Sequence, residues 1–447
     1  MTAAAIDRSV DSAAPYVRAH EAFARAAGGP EWLQDLRGAA IARFGEVGFP
    51  RTNDERWRFT SVERIANGRF AAPPAGIPAG ARDAVGRVLV GEAQEGLVAT
   101  CVNGRFAPEL SSLADLPAGV VVTALGEAIR IHGDLVRRHL GATAEIEDNP
   151  FTALATAFLE DGVFVYVPKD VVLDLPIQVV FVATGGAQPV VSHARALYVI
   201  ESNAQVSLVE HYVGAGDRPY WTNVVTEWSL GANAVVDAYR IQRERTDAFH
   251  TATTAMRQGR SSVLSTVNFV FGGALSRHDI RAVLDGEGAE CTINGLSVLR
   301  GEQLVDHHTT IDHAKPHCNS WELFNGVYDE KARGVFTGRI IVRPGAQKTD
   351  SKQTSNSLLL SEDARSDSQP QLEIYADDVK CTHGATLGPI DDRSLFYLQS
   401  RGIDREGARN LLTYGFGAEI LNSVSLEPLR ARLDDLVHAQ LEYRDHL

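Results

Sequence analysis

The sequence predicts a mainly β protein with a β-solenoid core between helical segments. Three observations carry that prediction. From about residue 160 to 385 the chain is a succession of short β-rich runs with small or Gly-containing corners and little helical periodicity. Within that stretch similar segments return: Thr222-Asn223-Val224, His250-Thr251-Ala252, His278-Asp279-Ile280 and His307-His308-Thr309 begin 28, 28 and 29 residues apart. Their companions, beginning at Ala234, Ser262 and Cys291, follow at 28 and then 29 residues. Outside it, on both sides, apolar residues fall at helical spacing. A self-similar unit of this length marks a solenoid, and its β-rich content makes it a β-helix rather than a helical array. A sandwich of hairpins would carry more Asn-Gly or Asp-Gly turns, and the one clear pair, Asn294-Gly295, has no counterpart in the other repeats.

Taken in order, residues up to about 70 read as helical, with Leu33, Leu36, Ala40 and Phe44 on one face and a break at Gly48-Phe49-Pro50. In the cluster Glu55-Arg56-Trp57-Arg58-Phe59-Thr60 the aromatics are expected to anchor a helix while the charges face water. Prolines and glycines over 71–80 stop both periodicities and predict a linker. Residues 1–80 are therefore read as an N-terminal helical domain with its linker. A small α/β connecting region follows over 81–148, with strand-like runs at Val88-Leu89-Val90 and Val120-Val121-Val122 and a helix from Leu125 to Leu140. The β-helix core is expected over 149–388, entered through a helix at 149–159. The C-terminal helical domain is expected over 389–447, with Leu429, Leu433, Leu436, Val437 and Leu441 sharing one face of its last helix. Such a tail either covers the open edge of the last rung or serves as a docking surface.

With 447 residues, 44% of them hydrophobic and 22% charged, the chain is globular and long enough for several domains. A net charge of -14 argues against general binding to nucleic acid or anionic membranes, because the electrostatic contribution is repulsive. The N-terminus lacks a basic region followed by an apolar run, and no segment holds 18 consecutive apolar residues, so a cytoplasmic location is expected. Cys101, Cys291, Cys318 and Cys381 are widely spaced, which suits a reducing compartment and leaves only single thiols for chemistry.

The most informative motif is Lys380-Cys381-Thr382-His383-Gly384-Ala385-Thr386, where the β-rich region hands over to the helical tail. On a strand Cys381 and His383 share one side, with Asp377 on the same parity. Thiolate and imidazole together suit iron or zinc, and two ligands leave a four-coordinate site to be completed from elsewhere, for instance another chain. The segment from Asp306 to Cys318 is the densest cluster of potential ligands, but its spacing matches no zinc signature. If the period holds, His250, His278 and His307 occupy equivalent rung positions and form a stacked polar ladder, with Cys318 in the core. Asp377-Asp378 and the acidic run from Asp363 to Asp367 read as solvated loops. No phosphate-binding Gly-x-x-x-x-Gly-Lys loop, Gly-x-Ser-x-Gly or His-Glu-x-x-His is present, so the chain is not expected to hydrolyse ATP by itself.

These residues together resemble the SufB/SufD family of iron-sulfur cluster assembly proteins, on the SufD side of it. The resemblance rests on Asn149-Pro150-Phe151 through Asp161-Gly162, on His307 to Ser320, on Gly338-Arg339-Ile340 with Thr349 to Leu360, and on Lys380 to Thr386 leading into Leu395 to Ile403. It implies a right-handed parallel β-helix between helical domains and a non-catalytic scaffold subunit that pairs with a SufB-like paralogue. It further implies docking of a SufC-like ABC-type ATPase by the C-terminal helices, and a transient iron-sulfur cluster at the subunit interface rather than a stably bound cofactor. By motif match His383 contributes there, with Cys381 beside it. Where the SufB side carries Glu-His-Glu-Ala, this chain has Thr382-His383-Gly384-Ala385 and lacks those glutamates. Two other classes stay open: a β-helix carbohydrate-active enzyme, needing three or more carboxylates or bases on one rung face, and a free-standing metalloenzyme, needing the His307 to Cys318 cluster to converge with Cys381 and His383.

Overall fold

The structure, a computed structural model, describes residues 3–89, 97–113, 116–147 and 149–442. Its centre is a β-solenoid of about eight turns. Strands alternate along the chain between two sheets, so that every second strand stacks on the same side. One sheet has ten strands and ends at Lys380–Gly388; the other has nine and ends at Arg365–Ile374. All rung-to-rung pairings from Val163 onward are parallel. One row of corners is built from short polar residues that tolerate a left-handed backbone: Asp170 (φ 63°), Asn203 (φ 60°), Asn233 (φ 58°) and Ser261 (φ 54°). Asn233 Nδ2 donates to Asn203 Oδ1 at 2.8 Å and Asn203 Nδ2 to Asp170 Oδ1 at 2.6 Å, a ladder that ties successive turns.

The rungs are not of equal length, and this corrects the expected histidine ladder. His278 pairs in register with His307, whereas His250 pairs with Ser276 and lies two residues from the His278 position. The physical reason is a tight corner at 271–274. A Cβ on Gly272 would stand 2.0 Å from the Glu244 carbonyl oxygen, and Gly273 has φ +88°, so this turn closes with fewer residues than its neighbours. His250 instead donates or accepts at Glu244 Oε2 (2.5 Å) and meets Arg240 inside the solenoid.

Residues 97–124 join the same two sheets: Leu97–Val102 runs parallel to Ile177–Thr184, and Val121–Ala124 runs antiparallel to Val163–Val167. Val88 and Leu89 form no strand; they follow the helix Ala81–Gly86, and Val90 lies outside the described residues. The helix expected over Leu125 to Leu140 is two, Leu125–Ile131 and Gly133–His139, broken at His132. The helix Pro150–Ala157 starts where Asn149 Oδ1 accepts from Phe151 N–H at 2.9 Å, with Pro at its first position. The acidic stretch expected as loop continues into the strand Arg365–Ile374, where Asp367 accepts from Arg333 at 2.9 and 2.5 Å. No apolar alternation marked this strand, because at the end of the stack both of its faces are partly exposed.

The helical ends lie along the sides of the solenoid. Tyr16, Phe44, Phe49, Trp57 and Phe151 pack on Trp221 and Phe249 of the nine-stranded sheet. The final helices, Arg405–Leu421 and Glu427–Glu442, lay Ile420, Leu421, Leu429, Leu433 and Val437 against Val267, Phe269, Leu296 and Val298 on the outer face of the ten-stranded sheet. They therefore do not cover the last rung. The end strands Arg365–Ile374 and Lys380–Gly388 each have one neighbour only, and the backbone edge beyond them is free among the described residues.

Candidate functional site

That open end holds the Cys-x-His motif, on the strand Lys380–Gly388. Strand pairing shows which way its side chains point. Cys291, Ser320, Ser351 and Cys381 are successive register partners, and Cys291 belongs to the apolar interior of the solenoid. Ile293, Glu322, Gln353 and His383 form the next column on the same face, and Ile293 is likewise interior. Cys381 and His383 are thus the outermost members of two inward-facing columns and stand side by side at the mouth. Cys381 is half-buried against the last-turn cluster of Ile340, Val342, Ala346 and Ala376. Asp377 does not join them. It lies in the corner before the strand, where parity does not apply.

The electrostatics of the two differ. Burial pushes the Cys381 thiol up, and the Asp350 carboxylate adds to the shift, so the thiol is held protonated until a cation approaches. His383 is exposed. A thiol and an imidazole on one wall are donor types that could hold a soft or borderline metal. Apolar side chains ring the same end: Ile374, Tyr375 and Leu387 are 40%, 61% and 57% exposed. Exposed apolar groups beside free strand edges are the features of a pairing face.

Behind the mouth the columns turn polar. Ser320 and Ser351 hydroxyls are 2.7 Å apart, His313 Nε2 reaches Ser320 Oγ at 2.9 Å, and Gln353 Nε2 donates to Glu322 Oε2 at 2.6 Å. His313 lies in the ligand-rich cluster and Ser320, Ser351 and Gln353 in the segments that carry the resemblance, but no role behind the motif was read for them, and Glu322 was not singled out. The signal that could have found them is the rung step, since Gln353 and Glu322 are the register partners lying successively behind His383.

The His307 to Cys318 cluster does not converge. Strand alternation turns His307 inward, where its Nε2 meets Ser297 Oγ at 3.1 Å, and His308 outward. His317 sits in a left-handed corner, and the buried Cys318 Sγ donates to the Gly286 carbonyl at 3.2 Å. Among the described residues no three His, Cys, Asp or Glu side chains are grouped to hold a metal.

A second concavity, a cleft of about 580 Å³, lies on the outer face of the nine-stranded sheet under Glu55 and Arg56. It brings Asp279, Asp312 and Glu373 onto one face, as a carbohydrate-active site would require. Each is engaged: Asp279 by Arg277 (2.9 Å) and Arg56 (3.4 Å), Asp312 by Arg343 (2.6 Å) and Glu373 by Arg339 (2.7 Å). The Arg277 guanidinium holds the Asp279 carboxyl well below its usual range, the reverse of what a general acid needs. Arg56, expected to face water, thus helps to bridge the N-terminal region and the solenoid.

Nearly the whole chain is similar to known proteins. A family model described as the SufBD core domain of the SUF system for FeS cluster assembly matches residues 181–416, and one for the SufBD protein N-terminal region matches residues 16–179. An iron-sulfur cluster assembly SufBD family protein of Synechocystis is 34% identical over 413 residues, 91% of this chain and 90% of that protein. The iron-sulfur cluster assembly protein SufD of Escherichia coli is 30% identical over 389 residues, 87% and 88% of the two chains. SufD of Bacillus subtilis is 28% identical over 420 residues, 92% and 95% of the two chains.

Proposed function

This chain belongs to the SufBD family of iron-sulfur cluster assembly proteins, and we propose that it is the SufD-type, non-catalytic subunit of a SufBCD-like scaffold. In this reading its open end pairs with a SufB-like paralogue, edge strand to edge strand. The observation that carries it is the coincidence of two free strand edges, three exposed apolar side chains and the inward-facing Cys381 and His383 at one end of the solenoid. The nascent cluster is the cargo of this interface. Cys381 and His383 supply two of its ligands, and the paralogue supplies the rest.

The same reading assigns the C-terminal helices to a SufC-like ATPase. Phe396 and Tyr397 on the helix Asp392–Ser400 and Leu411 on the next are 72%, 57% and 50% exposed, an apolar surface turned away from the sheet. Nucleotide-driven closure of the ATPases would move these helices, of which Arg405–Leu421 packs directly on the solenoid, and so shift the open end where the ligands stand. No described helix is long and apolar enough to cross a membrane.

The test is the anaerobic iron and sulfide content of the complex formed with SufB-like and SufC-like partners, for wild type and His383→Ala. Loading that falls while the complex stays assembled supports the reading. Unchanged loading would reduce the chain's role to holding its partners together.

A further inference from the structure

We propose that Glu322 and Gln353 form a positioning relay that fixes the ring of His383 for the cluster. The inference rests on the reading of His383 as a cluster ligand and extends it two rungs into the solenoid. Glu322, Gln353 and His383 are consecutive partners in one inward-facing column of parallel strands. The first two are 2% and 1% exposed. A buried carboxyl and amide are costly unless hydrogen-bonded, so their presence calls for a reason.

The hydrogen bond between them sets a direction. Gln353 Nε2 donates to Glu322 Oε2 at 2.6 Å. In this contact the amide nitrogen is turned inward, toward Glu322. Gln353 Oε1 is buried and has no partner among the described residues. The next register partner toward the mouth is His383, one strand spacing away, and a ring N–H that reached Gln353 Oε1 would complete the chain of donors and acceptors. A histidine that gives one nitrogen to a metal characteristically donates its other N–H to such a carbonyl, which fixes the tautomer and the ring plane.

The facing sheet makes room for this arrangement. A Cβ on Gly338 would stand 2.1 Å from Gln353 Nε2 and 2.5 Å from its Cδ. Gly338 thus lets the amide lie across the interior toward Glu322 rather than being displaced.

The experiment uses the complex with SufB-like and SufC-like partners, with histidine labelled with 15N in this chain alone. It reads iron and sulfide content and the 15N hyperfine coupling of the reduced cluster in pulsed EPR. Gln353→Met, close in volume and unable to accept from the ring, is expected to lower loading about tenfold and to abolish or alter the coupling. The reciprocal swap Glu322→Gln with Gln353→Glu, which keeps the internal hydrogen bond and an acceptor toward His383, is expected to restore both. If Gln353→Met does not assemble, Glu322→Gln gives the same test without a change in volume, because the amide then loses its fixed direction; it should alter the coupling. Wild-type loading and coupling in these variants overturn the relay, and so does a swap no better than Gln353→Met. His383→Ala separates the two levels. If it loads normally, the ligand reading itself has failed; if it loads poorly while Gln353→Met and Glu322→Gln load normally, only the relay has failed.

Discussion

The guanidinium of Arg277 lies over the indole ring of Trp57, 3.7 Å from its centroid. This side chain is one of the groups that fasten the N-terminal region to the middle of the solenoid. Arg277 also donates to Asp279 at 2.9 Å and to Asp306 at 2.5 Å, and Asp306 accepts from Thr60 at 2.5 Å. All three charged groups are buried. Such a group of charges is sustained by mutual pairing and by its hydrogen bonds to Thr60 and to the Arg56 carbonyl.

Arg277→Met should therefore destabilise the protein by about 3–5 kcal/mol, the typical result of leaving buried carboxylates without their cation. Urea unfolding of the isolated chain measures it. A loss below about 1 kcal/mol would mean that the N-terminal region is held by its aromatic contacts alone.

Acid should unfold the protein well above the carboxylate range. Burial lowers His193, His211, His307 and His308 to about 3 and His313 to about 4. Their folded values lie below the unfolded value near 6.5, so the stability they carry is present above about pH 6.5 and is lost as pH falls toward 3. Each proton taken up only by the unfolded chain costs about 1.4 kcal/mol per pH unit. Glu322, pushed up to about 7, and Glu210 and Asp306, also raised, act in the opposite sense, but the histidines outnumber them. Urea midpoints should fall steadily from pH 6.5 to 4.5, and a flat profile would contradict the burial of these rings.

Leu387→Lys places a charge at the open end on a side chain that is 57% exposed in the single chain. The thermal midpoint of the isolated chain should stay within a degree or two, since surface changes cost roughly 0.5 kcal/mol or less. Affinity for the SufB-like paralogue should drop at least tenfold, as read by analytical ultracentrifugation. Equal affinity would place the pairing face elsewhere.

Leu433→Ala removes a fully buried side chain between the last helix and the ten-stranded sheet. A loss of about 2–4 kcal/mol is expected from the cavity alone. Phe396→Asp with Tyr397→Asp, by contrast, should leave stability unchanged and abolish binding of the SufC-like ATPase. Pull-down and thermal melts of the two variants distinguish packing from docking.

Much of the fold was legible because a solenoid writes its repeat locally. The segments beginning at Ala234, Ser262 and Cys291 needed only their spacing and β-rich content to be recognised, and the helical tail needed only Leu429, Leu433 and Val437 on one face. The strand Arg365–Ile374 escaped because its sequence, with Ser366, Asp367, Ser368 and Gln369, carries no apolar alternation. Of the candidate site, the pair Cys381 and His383 was visible from parity, while Asp377 was misplaced by carrying that parity through a corner.

The sequence by itself determined the kind of architecture, its helical ends and the motif at its handover, since each depends on residues a few positions apart. Only the tertiary structure decided the rung steps, and with them which distant residues stand behind the motif. A single tight corner at Gly272-Gly273 shifts His250 out of the His278 and His307 column, and no local pattern records how closely two backbones approach there. The same holds for the helical tail. Its apolar face could have covered either the last rung or a sheet, and it lies on the sheet because Val267, Phe269, Leu296 and Val298 from successive rungs form a continuous apolar stripe that exists only once the rungs are stacked. That choice leaves the strand edges beside Cys381 and His383 open.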